Sequence, residues 1–197
     1  MALNPRLQEL WQDLRDLHHY LRSETYRKYK RINPFYEDLF DWKERGEFWV
    51  HENRSITIYN SASIVGDVEI GERSWIGPFT SLDGTGGLKI GRNCSISVGC
   101  QLVSHDSVKW ALSGGKQAYE YAPIVIGDCC FLGSHVVIGK GVTIGDHCLI
   151  AAGAVVTRNV VSSSIMAGVP ARLIGKVHLA DDGTVGLEYF RRTLDDE

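Results

Sequence analysis

Residues 124–156 read IVIGDCCFLGSHVVIGKGVTIGDHCLIAAGAVV, and the pattern returns every six residues. Ile126, Leu132, Ile138, Ile144, Ile150 and Val156 form one aliphatic column. Four places on from each comes a small or medium residue: Cys130, Val136, Val142, Cys148, Ala154 and Val160. The period extends back through Leu102, Ile96 and Ile90. Beyond a two-residue slip at Gly86-Gly87 it continues through Leu82, Ile76, Ile70 and Ile64. Glycine follows the aliphatic residue at 71, 77, 91, 127, 133, 139 and 145. A period of six fits neither an α-helix nor a simple alternating strand. It fits short strands joined by tight corners, with one bulky side chain pointing inward per strand and glycine relieving the corners. Three such sides close a triangular coil of about 18 residues, and each coil buries its interior only against its neighbours. The repeat therefore predicts an all-β fold, a parallel β-helix spanning 56–177.

The repeat also places the cysteines. Cys94, Cys100, Cys130 and Cys148 fall in the small inward slot and read as packed core thiols, whereas Cys129 points outward. Five cysteines, an odd count without framework spacing, suggest reduced thiols.

Ahead of the coils, residues 1–50 read as a helical cap. Leu3, Leu7, Leu10, Leu14, Leu17 and Leu21 make an amphipathic stripe that should pack on the β-helix or on a neighbouring subunit. Asn33-Pro34 starts a second helix, PFYEDLFDWKER, closed by Gly46. The basic run from Tyr26 to Arg31 reads as a solvated helix end favoured by the macrodipole. The tail, 178–197, should form a hairpin turning at Asp182-Gly183.

A net charge of -3 leaves no nucleic-acid footprint. No run of 18 apolar residues suggests integral membrane association, and the opening MALNPRLQELWQDLRDL lacks a signal peptide's apolar region, so the expected location is cytoplasmic.

Between Leu102 and Ile126 the period fails, because Gly114 and Glu120 occupy what should be inward slots. About one coil's length, 105–122, is thus extruded as a loop, and long loops on rigid scaffolds usually carry function. It opens with His105 and bears Trp110, Tyr119 and Tyr121, aromatics suited to covering a ligand.

LDGTGGLKIG, the SHD at 104–106, EYAPIVIGDCCFLGSHVVIGKGVTIGDHCLIAAGAVVT and the closing AGVPARLIGK resemble the hexapeptide-repeat sugar O-acetyltransferases of the galactoside and maltose type. The resemblance is closer to the branch linked to surface-polysaccharide biosynthesis. It implies left-handed winding, acetyl-CoA as co-substrate, and a homotrimer with active sites shared between adjacent β-helices. His105 matches the family's catalytic histidine. A sugar hydroxyl is a poor nucleophile, and an imidazole is suited to taking its proton as it attacks the thioester. The resemblance places the backbone N–H of Ser134 at the oxyanion, Phe131 beside the thioester arm, and Ala152 against pantetheine. Thr157 and Arg158 match a pair near the coenzyme's phosphates or adenine, and Arg172 matches a phosphate partner. A further family arginine corresponds to Gly175, with Lys176 beside it. Asp83 lies near an acidic acceptor-binding position; read from the residues alone, it equally caps a corner.

Rival readings remain. The same fold serves zinc-dependent γ-type carbonic anhydrases, but His105, His135 and His147 lack the paired spacing zinc needs, so no metal is expected. His51, His135, His147 and His178 have no functional match. Serine acetylation belongs to a branch with a larger helical domain. An N-acetyltransferase of an amino or nucleotide sugar would share the base and coenzyme site. A non-catalytic scaffold would need neither.

Overall fold

The computed structural model describes residues 4–39, 41–50 and 55–190; Leu3, Phe40, His51 and the tail from 191 lie outside the described residues. From Ile56 onward the chain winds as a parallel β-solenoid. One face stacks Thr57–Ile58, Trp75–Ile76, Ser95–Ile96, Phe131–Leu132, Leu149–Ile150 and Ser164–Ala167. A second stacks the starts of Ser63–Ile70 and Ser81–Ile90 with Gln101–Val103, Val137–Ile138 and Val155–Val156. The ends of those same two long strands turn the corner into the third face, where Ile124–Ile126, Thr143–Ile144 and Val160 follow.

The inward columns are those the period picks out. Ile70, Ile76, Leu82, Ile90, Ile96, Leu102, Ile126, Leu132, Ile138, Ile144, Ile150 and Val156 are buried, and Ile64 is partly buried against them. Each such side chain removes apolar surface worth about 1.5–3 kcal/mol from water. The four core cysteines are buried beside them and Cys129 is exposed. Burial pushes the Cys100 thiol up, which suits an inert core residue.

The corner glycines act differently from the expectation of relieved φ angles. A Cβ at Gly71 would lie 2.5 Å from the backbone of Gly91 in the next coil, so bare backbone is needed there for close approach. Positive φ falls two residues later, at Arg73, Phe79, Asn93, Cys129, His135 and His147. His135 and His147 are thus corner residues. Side chains cap the amides between coils: Asp128 N donates to Asp146 Oδ1, and Arg92 N to Asp128 Oδ1.

Helix α1, Pro5–Tyr29, is capped by the Asn4 side chain and ends at Lys30 in the left-handed region. Its leucine stripe is exposed within one chain: Leu7, Leu10, Leu14 and Leu17 do not pack on the β-helix. The basic run forms its last turn, where Arg27 pairs with Glu24 and Arg31 reaches the Tyr59 hydroxyl.

The second helix is not continuous, contrary to the sequence reading. It divides into α2, Phe35–Asp38, and α3, Trp42–Val50, and Gly46 lies inside α3 instead of closing a helix. The division has a physical cause. The buried Glu37 carboxylate accepts from the amides of Asn60 and Ser61, and Asp41 caps the amide of Lys43. Gly46 is required because a Cβ there would lie 2.1 Å from the carbonyl of Ile56. At the far end Arg172–Leu179 pairs antiparallel with Val185–Tyr189, turning through Asp182 and Gly183.

Candidate active site

The extruded segment leaves the second face after Val103. His105–Asp106 pairs antiparallel with Glu120–Tyr121, and between them lies α4, Val108–Leu112. His105 stands at the corner between the second and third faces, and its Nδ1 lies 2.5 Å from Oδ2 of Asp83.

Asp83 is buried, and its four contacts account for both oxygens. Oδ1 accepts from the Thr85 amide at 2.9 Å and the Thr85 hydroxyl at 2.7 Å. Oδ2 accepts from the Ser104 amide at 3.1 Å and from His105. Burial pushes this carboxyl up, but the hydrogen bonds from Thr85 and His105 outweigh it and leave its pKa below the usual value. An ionised carboxylate is an acceptor only, so His105 Nδ1 must donate and Nε2 is left as the basic atom. Both oxygens of Asp83 are thus engaged within the chain, one of them with His105. Thr85 and Ser104, which hold that carboxylate, were not picked out from the sequence.

Aromatic rings surround the histidine. Tyr121 stacks on it with ring centroids 5.9 Å apart, Tyr119 lies parallel at 6.5 Å, and Trp110 meets Tyr119 edge-on at 5.6 Å. All three rings remain partly exposed. The loop thus gathers Trp110, Tyr119, Tyr121, His105 and Asp83 at one place.

The residues matched to the coenzyme are spread differently. Ser134 and Ala152 stack at the corner between the first and second faces, where Gly153 N donates to the Ser134 carbonyl. Arg172, exposed, sits near that corner through its pairing with Ala167. Thr157 and Arg158, also exposed, follow the second face, on the His105 side. Phe131 projects from the first face into a groove of about 540 Å³, walled by Leu149 and the hairpin residues Val177, Leu179, Val185 and Leu187. Lys176 pairs with Ser164 at the opposite edge of the first face, so the structure does not bring it beside Arg172.

By register, Gln101 aligns with Val137, which puts His105 level with Gly141, a full face away from Ser134. At strand rise that separation is on the order of 15–20 Å. His105 and Ser134 of one chain therefore do not stand side by side.

The family model for the bacterial transferase hexapeptide, six repeats, matches residues 123–158. The galactoside O-acetyltransferase of Escherichia coli (strain K12) is 27% identical over 184 residues, covering 81% of this chain and 91% of that protein. The chain is an acyltransferase that carries hexapeptide repeats. Its fold is the left-handed parallel β-helix. A hexapeptide-repeat acetyltransferase from Vibrio cholerae, solved with acetyl-CoA, superposes on the acyltransferase with a TM-score of 0.56 at 20% identity, covering 84% of this chain and 87% of that one. The N-acyltransferase AntD from Bacillus cereus, solved with dTDP and 3-hydroxybutyryl-CoA, superposes at 0.57 and 19% identity, covering 68% and 88%. Both likenesses are of fold. Among the described residues, no helix of the acyltransferase is long and apolar enough to cross a membrane.

Proposed function

We propose that this acyltransferase moves an acetyl group from acetyl-CoA to a hydroxyl of a sugar or sugar derivative, serving cell-surface polysaccharide biosynthesis, with His105 as general base. The observation that carries the reading is the buried Asp83 carboxylate on His105 Nδ1. It holds the ring in the tautomer whose Nε2 can take a hydroxyl proton, and it stabilises the imidazolium that then forms. The aromatic surround supports a sugar acceptor, since sugars offer apolar C–H faces to such rings. The galactoside O-acetyltransferase, matched along nearly its whole length, favours a hydroxyl over an amino acceptor.

The reaction would run between copies in a homotrimer. The His105 corner of one chain, with Thr157 and Arg158, would face the corner of the next that carries Ser134, Ala152 and Arg172. Attack by the sugar oxygen on the thioester carbonyl passes its proton to Nε2. The tetrahedral oxyanion meets the Ser134 amide, and collapse expels the coenzyme thiolate, which recovers the proton.

His105→Ala should keep its fold and its acetyl-CoA affinity and lose roughly 10²–10⁴-fold in turnover. Near-normal turnover would remove His105 from the mechanism. Co-expression with Ala152→Glu, which blocks the donor corner at an exposed position, tests the shared site. Each variant alone should be inactive. In random mixed trimers about one site in four combines an intact base with an intact donor corner, so roughly a quarter of the activity should return. No recovery would confine the site to one chain.

A further inference from the structure

The ribbon that carries His105 contains an electrostatic conflict. In its register His105 faces Tyr121 and Asp106 faces Glu120, two carboxylates directly opposed on a two-residue ladder. Like charges so placed are destabilising, and a two-stranded ribbon is marginal by itself. Lys140, from the following coil, resolves the conflict: its Nζ lies 2.7 Å from Asp106 Oδ2 and 3.0 Å from Glu120 Oε2. Lys109 of α4 takes the other oxygen of Glu120, but from a more open position: 58% of its side chain is exposed, against 25% for Lys140. Lys140 is therefore less screened by solvent. Hydrogen bonding to Lys140 holds Asp106 below the usual carboxylate range. Bonds from Lys109 and then Lys140 do the same for Glu120, while Asp106 and Glu120 push Lys140 up. Asp106, Glu120 and Lys140 are thus charged near neutrality.

Among the described residues few other hydrogen bonds hold the ribbon to the coils: those of His105 with Asp83 and the Thr85 hydroxyl at its start, and the Ala122 backbone bonded to Ser104 and Gly141 at its end. Lys140 acts between them, at the step that sets Tyr121 on the His105 ring. We propose that Lys140 is a positioning residue that closes the loop and so places Tyr119 and Tyr121 against His105. It acts on the acceptor side through neutralised charge and touches no reacting atom. The kinetic part of this inference rests on the function proposed above; the structural part does not.

The test compares wild type with Lys140→Met, Lys140→Arg and Lys140→Met/Glu120→Gln. Two quantities are measured: the rate of tryptic cleavage after Lys116, exposed in the loop, followed by mass spectrometry, and the KM for acceptor and for acetyl-CoA. Lys140→Met should cleave several-fold faster and raise acceptor KM roughly tenfold, with kcat and acetyl-CoA KM changed less than about threefold. Lys140→Arg should stay near wild type. The double variant, which deletes one of the opposed charges, should recover most of both losses. A merely packing role for the lysine would give no such charge rescue, and a double variant as impaired as Lys140→Met overturns the proposal. So does a Lys140→Met protein with unaltered cleavage, or one with faster cleavage and an unaltered acceptor KM. If wild type transfers no acetyl group to any sugar, the cleavage rates still decide whether the clamp exists, and only the proposed function falls.

Discussion

Asp83→Asn is the sharpest perturbation available, because the geometry says what an amide cannot do at that position. Each carboxylate oxygen faces one backbone N–H, that of Thr85 at 2.9 Å and that of Ser104 at 3.1 Å. An asparagine offers one acceptor oxygen and one NH₂ group. In either orientation one of those fixed amides points at a donor and goes unpaired, which costs about 1–3 kcal/mol at a buried site. With the NH₂ toward Thr85, the Thr85 hydroxyl can turn to accept and His105 keeps its tautomer. With the NH₂ toward His105, Nδ1 must accept, the ring proton moves to Nε2, and the base is gone. Both orientations lose the negative charge that favours the imidazolium. Turnover should fall roughly 10²–10⁴-fold, with acetyl-CoA KM little changed.

The assay is coenzyme release with both substrates varied, alongside denaturant midpoints across pH. Asp83 has a lowered pKa when folded, so its carboxylate stabilises the protein above the unfolded value and the benefit is lost as pH falls through the folded one. The stability gap between wild type and Asp83→Asn should thus be full above about pH 5 and narrow below about pH 4. Because the two residues act as a unit, Asp83→Asn/His105→Ala should be no slower than His105→Ala. Turnover within about threefold of wild type would refute the orienting role. A raised acceptor KM at unchanged kcat would return Asp83 to acceptor binding.

Two further expectations divide donor from acceptor. Arg172→Ala should raise KM for acetyl-CoA roughly ten- to a hundredfold, the worth of about 1.5–3 kcal/mol for a charge-assisted bond to phosphate. The effect should be smaller for acetyl-pantetheine, and equal losses with both donors would mean a structural role. Trp110→Ala should raise acceptor KM while coenzyme binding and assembly mass hold; weakened coenzyme binding at constant acceptor KM would sink the assignment.

Most of the solenoid could be read from the chain because a coil's inward slots are decided locally. A side chain on a six-residue side either fits the interior or breaks the stack, so the buried columns follow the period residue by residue. The cap was less legible. What splits α2 from α3 is a set of contacts made with residues distant in sequence: Glu37 on the Asn60 and Ser61 amides, and Gly46 against the Ile56 carbonyl. Helical periodicity carries no trace of a partner that far along the chain.

The site divides along the same line. His105 and the loop aromatics stand out because they interrupt a strict pattern, but the pairing of the histidine with Asp83 is hidden by register. An 18-residue coil would set Asp83 level with Gln101. The slip at Gly86-Gly87 adds two residues, so Asp83 aligns with Val103, and the chain then needs only Ser104 to bring His105 over the carboxylate. Carrying that slip forward was the available signal for the pair. For the Lys140 clamp there was none, since Asp106, Glu120 and Lys140 meet only once the loop's own pairing is known. The scaffold repeats because each coil must match its neighbour. The loop answers to no neighbour of its own kind, so its internal pairing is settled by a few charges and rings, and its residues can change without disturbing a coil.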